Sequence, residues 1–382
     1  MSACVRCISR SNGRRRSRAT GARSSDGEII MIRPRKTVRD VVRWPVSQAD
    51  RLDRLRLDKN ENCAGWPARV MDGMLADMSR HFLTAYPEPY TLYEKIAKWH
   101  GIAVDRLMVT AGSEMAIRYL FEAYLEPGDE LVSLEPSFAM FEVYAQLCGA
   151  KFVPVRFDRS FRVSPANIMK AITRRTKIVA IANPNNPTGT VIPERDLIAI
   201  VKKAAKHGAL TLVDEAYFHF YGRTMLSYAG VFDNLVVTRT FSKACGAASV
   251  RLGYAVGHPE VIKTMAKLQP IDHVSGFAVL IGKYLIDHDH LIADYVKEVE
   301  KGKAYLLKEL PKLGLPCIGG YGNFILIELG ARKDEVAAQL KARGVLVGAN
   351  LRLPSWSRHI RAAVGQPALM RRFVRALAES LA

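Results

Sequence analysis

The chain has 382 residues, 49% hydrophobic and 24% charged, an ordinary composition for a globular protein. That length exceeds what one hydrophobic core serves, so a large domain with a smaller one is expected. The longest apolar run, Val274–Ile286, is interrupted by Lys283 and falls short of the roughly 18–20 residues of a membrane span. Net charge is +19, which raises nucleic acid as a partner. Seven arginines in residues 1–30, against Asp26 and Glu28, supply +5 of it and leave +14 from Met31 onward. The six cysteines follow no disulfide-framework spacing, which points to a reducing compartment, the cytoplasm.

Residues 1–30 lack apolar periodicity and are expected to form a disordered, Arg-rich tail. Rich in Arg and Ser and poor in acid, the tail suits organellar targeting. Its basic run also suits a nucleic-acid-binding arm. Organised sequence begins just after Met31, which favours a third reading, a dispensable extension with Met31 as the working start. The pair Cys4 and Cys7 has no second pair at zinc spacing and is read as chance. His288 and His290, two apart, would leave different faces of a helix, so no metal site is expected.

From Leu107 the chain alternates short apolar runs with helical stretches. Strands are expected at Leu107–Thr110, Glu130–Leu134, Lys151–Val155, Lys177–Ala182, Ala209–Val213, Leu235–Thr238 and Gly253–Val256. Amphipathic segments lie between them, such as Glu194–His207 between Pro193 and Gly208. This order implies an α/β fold, a mostly parallel sheet covered by helices on both faces. Beyond it come a long helical stretch from Pro259 to about Leu310, a strand at Asn323–Glu328, a helix near Lys333–Arg343 and strands near Val345 and Ile360. A large domain over residues 80–270 is expected, with residues 31–79 and 271–382 forming a smaller α+β domain.

Ligands of such sheets bind at the carboxyl ends of the strands, and four clusters fall there. Ala111-Gly112-Ser113-Glu114 opens a helix after the first strand, where free N–H groups and the helix dipole attract an anion; Ser113 alone would suit an N-cap. Asn183-Pro184-Asn185-Asn186-Pro187-Thr188-Gly189 is a turn, but turning alone requires fewer such residues. Asp214-Glu215-Ala216-Tyr217 sets a carboxylate at a buried strand end, as a helix cap or as the partner of a cationic ligand atom. Thr240-Phe241-Ser242-Lys243, with Arg251 eight residues on, places a lysine where lost hydration makes its amine nucleophilic.

Together these strings resemble the fold-type-I pyridoxal-phosphate aminotransferases, and most of all the histidinol-phosphate aminotransferase branch. Leu57-Asp58-Lys59-Asn60-Glu61-Asn62, Tyr86-Pro87-Glu88-Pro89, Gly322-Asn323-Phe324 and Ile360-Arg361-Ala362-Ala363-Val364-Gly365 match in family order as well. The resemblance implies a seven-stranded, mostly parallel sheet sandwiched by helices, plus a small domain. It also implies an amino-group transfer with pyridoxal 5′-phosphate held as an aldimine on Lys243. Asp214 would meet the pyridine nitrogen, and Tyr217 and Asn186 the ring's phenolic oxygen. Phe138 would stack on the ring. Gly112, Ser113, Glu114, Thr240, Ser242 and Arg251 would hold the phosphate, with Tyr86 reaching it from the other subunit of a homodimer. Arg361 would bind the substrate's anionic group, and Asn62 belongs to a loop lining the substrate pocket.

Four positions depart from the family pattern. Ser249 stands where relatives carry Gly, and Cys63 and Trp66 replace prolines. Gly348 occupies the place of a second Arg that relatives acting on histidinol phosphate carry, which makes an ordinary α-amino acid a competing substrate; Arg352 is a candidate substitute. The same motifs also suit a decarboxylase resembling the threonine-phosphate decarboxylases. A cofactor-bearing nucleic-acid regulator is disfavoured, because thirty disordered residues cannot form a DNA-binding domain.

Overall fold

Residues 32–39, 41, 51–158, 160–349 and 357–382 are described by the computed structural model. The tail before residue 32 and Arg352 lie outside them. The described residues from Val41 onward pack as one compact unit, and the short helix α1 (Lys36–Arg39) belongs to a separate N-terminal one.

The strands, in chain order, are β1 (Leu55–Leu57), β2 (Leu107–Thr110), β3 (Glu130–Glu135), β4 (Lys151–Arg156), β5 (Thr176–Ala182), β6 (Leu210–Asp214), β7 (Leu235–Thr240), β8 (Gly253–Val256), β9 (Cys317–Ile318), β10 (Phe324–Glu328), β11 (Val345–Val347) and β12 (His359–Ala363). Seven of them form one sheet in the order β2-β8-β7-β6-β5-β3-β4. All seven stand within two residues of the expected runs. β8 alone is antiparallel, to both β2 and β7.

The sheet's strands are near-continuous apolar runs because helices cover both faces. Alternate residues feed opposite cores: Ile178, Leu212 and Val236 one side, Val179, Val213 and Val237 the other. After α2 (Ala68–Leu75) and α3 (Tyr90–His100), the covering helices include α4 (Ser113–Tyr124), α5 (Met140–Leu147), α6 (Pro165–Ala171) and α7 (Glu194–Ala205). In α7, Pro193 precedes the helix, Glu194 and Asp196 occupy its first turn and Lys202 and Lys203 its last, matching the helix dipole. Its buried stripe is Leu197, Ile200, Val201 and Ala204.

The long helical stretch of the sequence reading is three helices, α8 (Pro259–Ala266), α9 (Gly276–Asp287) and α10 (His290–Glu309). Pro270 lies in the first interruption, and Ser275 starts α9 by accepting a hydrogen bond from the Ala278 N–H at 3.2 Å. Among the described residues no helix is long and apolar enough to cross a membrane.

The early and late parts of the chain meet. β1 pairs in parallel with β11, Leu55 opposite Val345 and Leu57 opposite Val347. β12, β10 and β9 form an antiparallel sheet. These pairings bring residues 58–62 and Arg361 to the same place.

Candidate active site

The first part of the site is built on an approach between two chain segments. Gly112 precedes α4 with φ +85° and ψ 153°, a conformation closed to side chains. A Cβ there would lie 2.7 Å from Arg251 Nη2, so the glycine lets the guanidinium lie over the helix start. Arg251 itself stands in the left-handed region, at φ +54°, a strain of the kind that clusters at functional sites. Its Nη1 donates to Ser242 Oγ at 3.3 Å and to the Ala248 carbonyl at 3.3 Å. Thr240 Oγ1 accepts from the Ser242 N–H at 3.1 Å and so shapes the same turn. Among the described residues Arg251 has no carboxylate partner. A guanidinium, a serine and a helix N-terminus without a counter-charge form a donor set that fits a phosphate.

Beside it stand the ends of β6 and β7. Asp214 is buried and accepts from Thr238 Oγ1 at 2.9 Å. Burial pushes its carboxyl up to about 6, against that hydrogen bond and the Ala216 N–H. A cationic ring nitrogen is what would hold it ionised. Lys243 follows β7, and its Nζ donates to the Lys59 carbonyl at 3.0 Å and lies 5.8 Å from the centre of the Tyr217 ring. Burial, joined by the charges of Arg361 and Arg251, brings its amine down to about 8; Glu61 and Asp214 pull the other way. Tyr217 is buried, which raises its phenol, and its oxygen accepts from Asn60 Nδ2 at 2.9 Å. Its own proton is therefore left to donate onward.

Arg361, on β12, completes the set. Nη1 donates to Asn186 Oδ1 at 2.8 Å and Nη2 to the Asp58 carbonyl at 2.7 Å, while Nε, buried, has no partner. Gly348 pairs with Arg361 through two backbone hydrogen bonds of 2.8 Å. A Cβ at Gly348 would lie 3.3 Å from the Arg361 carbonyl oxygen, a tight contact, and 3.5 Å from both Arg361 Nη2 and the Asp58 carbonyl.

The expected residues divide accordingly. Lys243, Asp214, Tyr217, Asn186 and Arg361 converge, as do Gly112, Thr240, Ser242 and Arg251. Ser113 is the first residue of α4, and Gly112 takes the N-cap position that Ser113 suited in sequence. The Glu114 carboxylate accepts from Tyr144 OH at 2.8 Å, so it faces α5. Phe138 packs edge-on against Phe141 at 5.5 Å, and its neighbour Ser137 donates to Asn185 Oδ1 at 2.7 Å. Tyr86 is 82% exposed and meets none of the others. Asn62 closes its own loop, accepting from the Ala64 N–H at 3.1 Å. Ser249 lies in the short turn before Arg251.

Residues 58–60 carry more of the site than their sequence suggested. Three consecutive carbonyls, of Asp58, Lys59 and Asn60, accept from Arg361, Lys243 and Asn323, the last at 3.1 Å. Asn60 takes the left-handed φ of +55°, which Asn tolerates better than most residues. Arg51 ties the segment down, bonding Asp58 and Glu61 at 2.7 Å each. The sequence signal was the Asn60 and Asn323 of two matching strings, neither of which received a role.

The aminotransferase class I and II family matches residues 53–377. In sequence the chain is 37% identical over 354 residues to the histidinol-phosphate aminotransferase of Symbiobacterium thermophilum, covering 91% of this chain and 95% of that one. It is 33% identical over 278 residues to that of Clostridium novyi, covering 72% and 77%. In fold it resembles the Sinorhizobium meliloti histidinol-phosphate aminotransferase in complex with pyridoxal-5′-phosphate, with TM-score 0.82, 19% identity and coverage of 92% and 98%. It likewise resembles a Thermus thermophilus aspartate aminotransferase mutant, with TM-score 0.75, 23% identity and coverage of 92% and 100%. The chain belongs to the class I and II aminotransferases, enzymes that use pyridoxal 5′-phosphate to transfer an amino group.

Proposed function

We propose that amino transfer takes place at the carboxyl ends of β2, β5, β6 and β7, with Lys243 as the catalytic residue. Gly112, Ser113, Glu114, Thr240, Ser242 and Arg251 hold the cofactor phosphate, the Ser113 and Glu114 contributions being backbone N–H groups. Asp214, Tyr217, Asn186 and Phe138 hold the ring. When bound, the cofactor supplies an electron sink for the charge left on the substrate carbon as its proton departs. Lys243, its amine lowered to about 8, gives up its proton near neutral pH more readily than an ordinary lysine; it would hold the cofactor covalently and would take the substrate Cα proton at Nζ. Asp214 provides the fixed negative charge opposite the ring nitrogen. The Tyr217 hydroxyl, oriented by Asn60, would donate to the ring oxygen.

Arg361 receives the substrate's anionic group, and Asn62, Cys63 and Trp66 line the approach. The observation that carries this reading is a pair of guanidiniums, Arg251 and Arg361. Both are close enough to depress the Lys243 amine, and neither is ion-paired among the described residues. One anchors the cofactor and the other the substrate.

Histidinol phosphate is the donor that the sequence relatives' names put forward. Gly348 beside Arg361 favours a second reading, an ordinary α-amino acid whose single carboxylate needs one guanidinium. A single-turnover absorbance titration decides. The cofactor-loaded enzyme is challenged with histidinol phosphate and then with a panel of amino acids. Conversion by histidinol phosphate supports the first reading, and conversion only by amino acids the second. Release of CO₂ in place of an oxo product would overturn both.

The reading includes a homodimer and the division into residues 80–270 and 31–79 with 271–382. Exposed Leu83, Tyr86, Tyr90 and Ile271 support a second copy, with Tyr86 reaching the other subunit's phosphate site. Hybrid dimers of Tyr86→Phe and Lys243→Ala subunits test this. If Tyr86 serves the other subunit, one site of each hybrid bears both defects and the other is intact. A cytoplasmic location is part of the same reading.

A further inference from the structure

A cavity of about 650 Å³ opens where six side chains converge: Trp99, His100, Arg106, Phe218, His219 and Arg239. Its volume lies within the range of small-molecule sites. It backs onto the catalytic strand ends. Side chains of a strand alternate between faces, so Asp214, Thr238 and Thr240 point to the cofactor side while Glu215, Arg239 and Phe241 point the other way. The cavity is therefore separate from the Lys243 site, though Trp99 reaches Phe241 at 6.4 Å between ring centres.

Its charge is one-sided. No Asp or Glu lines it. Arg239 is satisfied, bonded to Glu215 at 2.9 and 3.0 Å and lying 3.6 Å over the Phe218 ring. Arg106 is half-buried and differs: among the described residues its guanidinium has no hydrogen-bond or ion-pair partner. Gly230 makes room for it, since a Cβ there would lie 2.5 Å from Arg106 Nη1. One wall is aromatic: Trp99 and His219 stack with their ring planes 23° apart and centres 6.2 Å apart. Burial and the Arg239 charge lower His100 to about 3 and His219 to about 4, so both rings are neutral and add no charge of their own.

We propose that this cavity binds a small aromatic carboxylate, with Arg106 as the anion anchor and the Trp99 and His219 rings as the apolar wall. A fixed cation without a counter-charge supplies the anionic specificity, and the ring faces supply the preference for a planar body.

Calorimetry on the cofactor-loaded enzyme tests it, with indole-3-carboxylate as probe and neutral indole as control. Because Arg361 also takes carboxylates, the Arg361→Leu holoenzyme is titrated in parallel. The expected result is saturable binding of the carboxylate but not of indole, retained in Arg361→Leu and weakened about tenfold or more in Arg106→Met. Gly230→Val, which displaces the guanidinium without removing it, weakens binding too and serves should Arg106→Met fail to fold. Absence of saturable binding, equal binding in Arg106→Met, or loss confined to Arg361→Leu overturns the proposal.

Discussion

Replacing Gly112 by Ala separates the two things that position does. The first is conformational: at φ +85° and ψ 153° a residue with a Cβ carries strain of about 1–3 kcal/mol. The second is steric. The new methyl would lie 2.7 Å from Arg251 Nη2 and 3.2 Å from Cζ, so the guanidinium must retreat by about 1 Å to reach ordinary contact. A charge-assisted contact to the cofactor phosphate is lost with it, about 1.5–3 kcal/mol, or roughly 10–150-fold in cofactor affinity. Urea unfolding without cofactor reads the strain. Equilibrium dialysis against pyridoxal 5′-phosphate and against pyridoxal reads the contact, because the loss belongs to the phosphate-bearing form alone. In an Arg251→Met background the substitution should weaken binding by much less, since the contact is already gone. The reasoning is refuted if both forms weaken equally, or if affinity and stability stay within error of wild type.

Three further outcomes follow from the same geometry. Gly348→Arg, whose Cβ would meet the Arg361 carbonyl oxygen tightly at 3.3 Å and Arg361 Nη2 at 3.5 Å, should shift the kcat/KM ratio of phosphate-bearing over carboxylate-bearing donors upward by about 10-fold or more once the backbone gives by a few tenths of an ångström; an unchanged ratio in a folded variant would separate Gly348 from substrate choice. Asp214, raised by burial from 3.8 to about 6, stabilises the cofactor-free fold only while protonated, so its contribution is full below pH 4 and is lost as pH rises through 6. Asp214→Asn should therefore gain up to about 3 kcal/mol over wild type at pH 8 without cofactor, yet bind cofactor more weakly; urea melts at pH 4 and 8 that show no pH-dependent difference would contradict this. Asn60→Gly should keep stability near wild type and lower kcat by releasing Tyr217, whereas Asn60→Val should also lose about 1–2 kcal/mol from its left-handed backbone, and equal melts for the two would exclude the strain.

The central sheet was legible because its strands are buried on both faces and read as unbroken apolar runs. Asp214 and Lys243 stood out in the sequence because they lie at the ends of such runs, where a charge is rarely found without a reason, and Arg251 stood out by its spacing from Lys243. The segment 58–60 was opaque for a physical cause: it acts on Lys243 and Arg361 through main-chain carbonyls, which every residue type carries. The pattern around Asn60 and Asn62 offered two amides of equal appearance, and only backbone geometry separates them. Asn60 reaches Tyr217, while Asn62 turns back on its own loop. The region from Pro259 to Leu310 reads as continuous because its apolar spacing persists across two interruptions. Ser275 as an N-cap marked one of them.

Glu215 and Arg239 show how the site is kept in place. Both are almost wholly buried, and they face each other across the ends of β6 and β7. A buried ion pair adds little net stability, because removing two charges from water offsets most of their attraction. Its contribution here is positional. Thr224 Oγ1 and the Met225 N–H donate to Glu215, and Arg239 lies on the Phe218 ring, so neither partner can shift without unmaking several bonds. Asp214 precedes Glu215 and Thr240 follows Arg239, each pointing to the opposite face. The pair on one side of the two strands thus fixes the spacing of Asp214 and the turn to Lys243 on the other, the groups proposed to hold one cofactor ring.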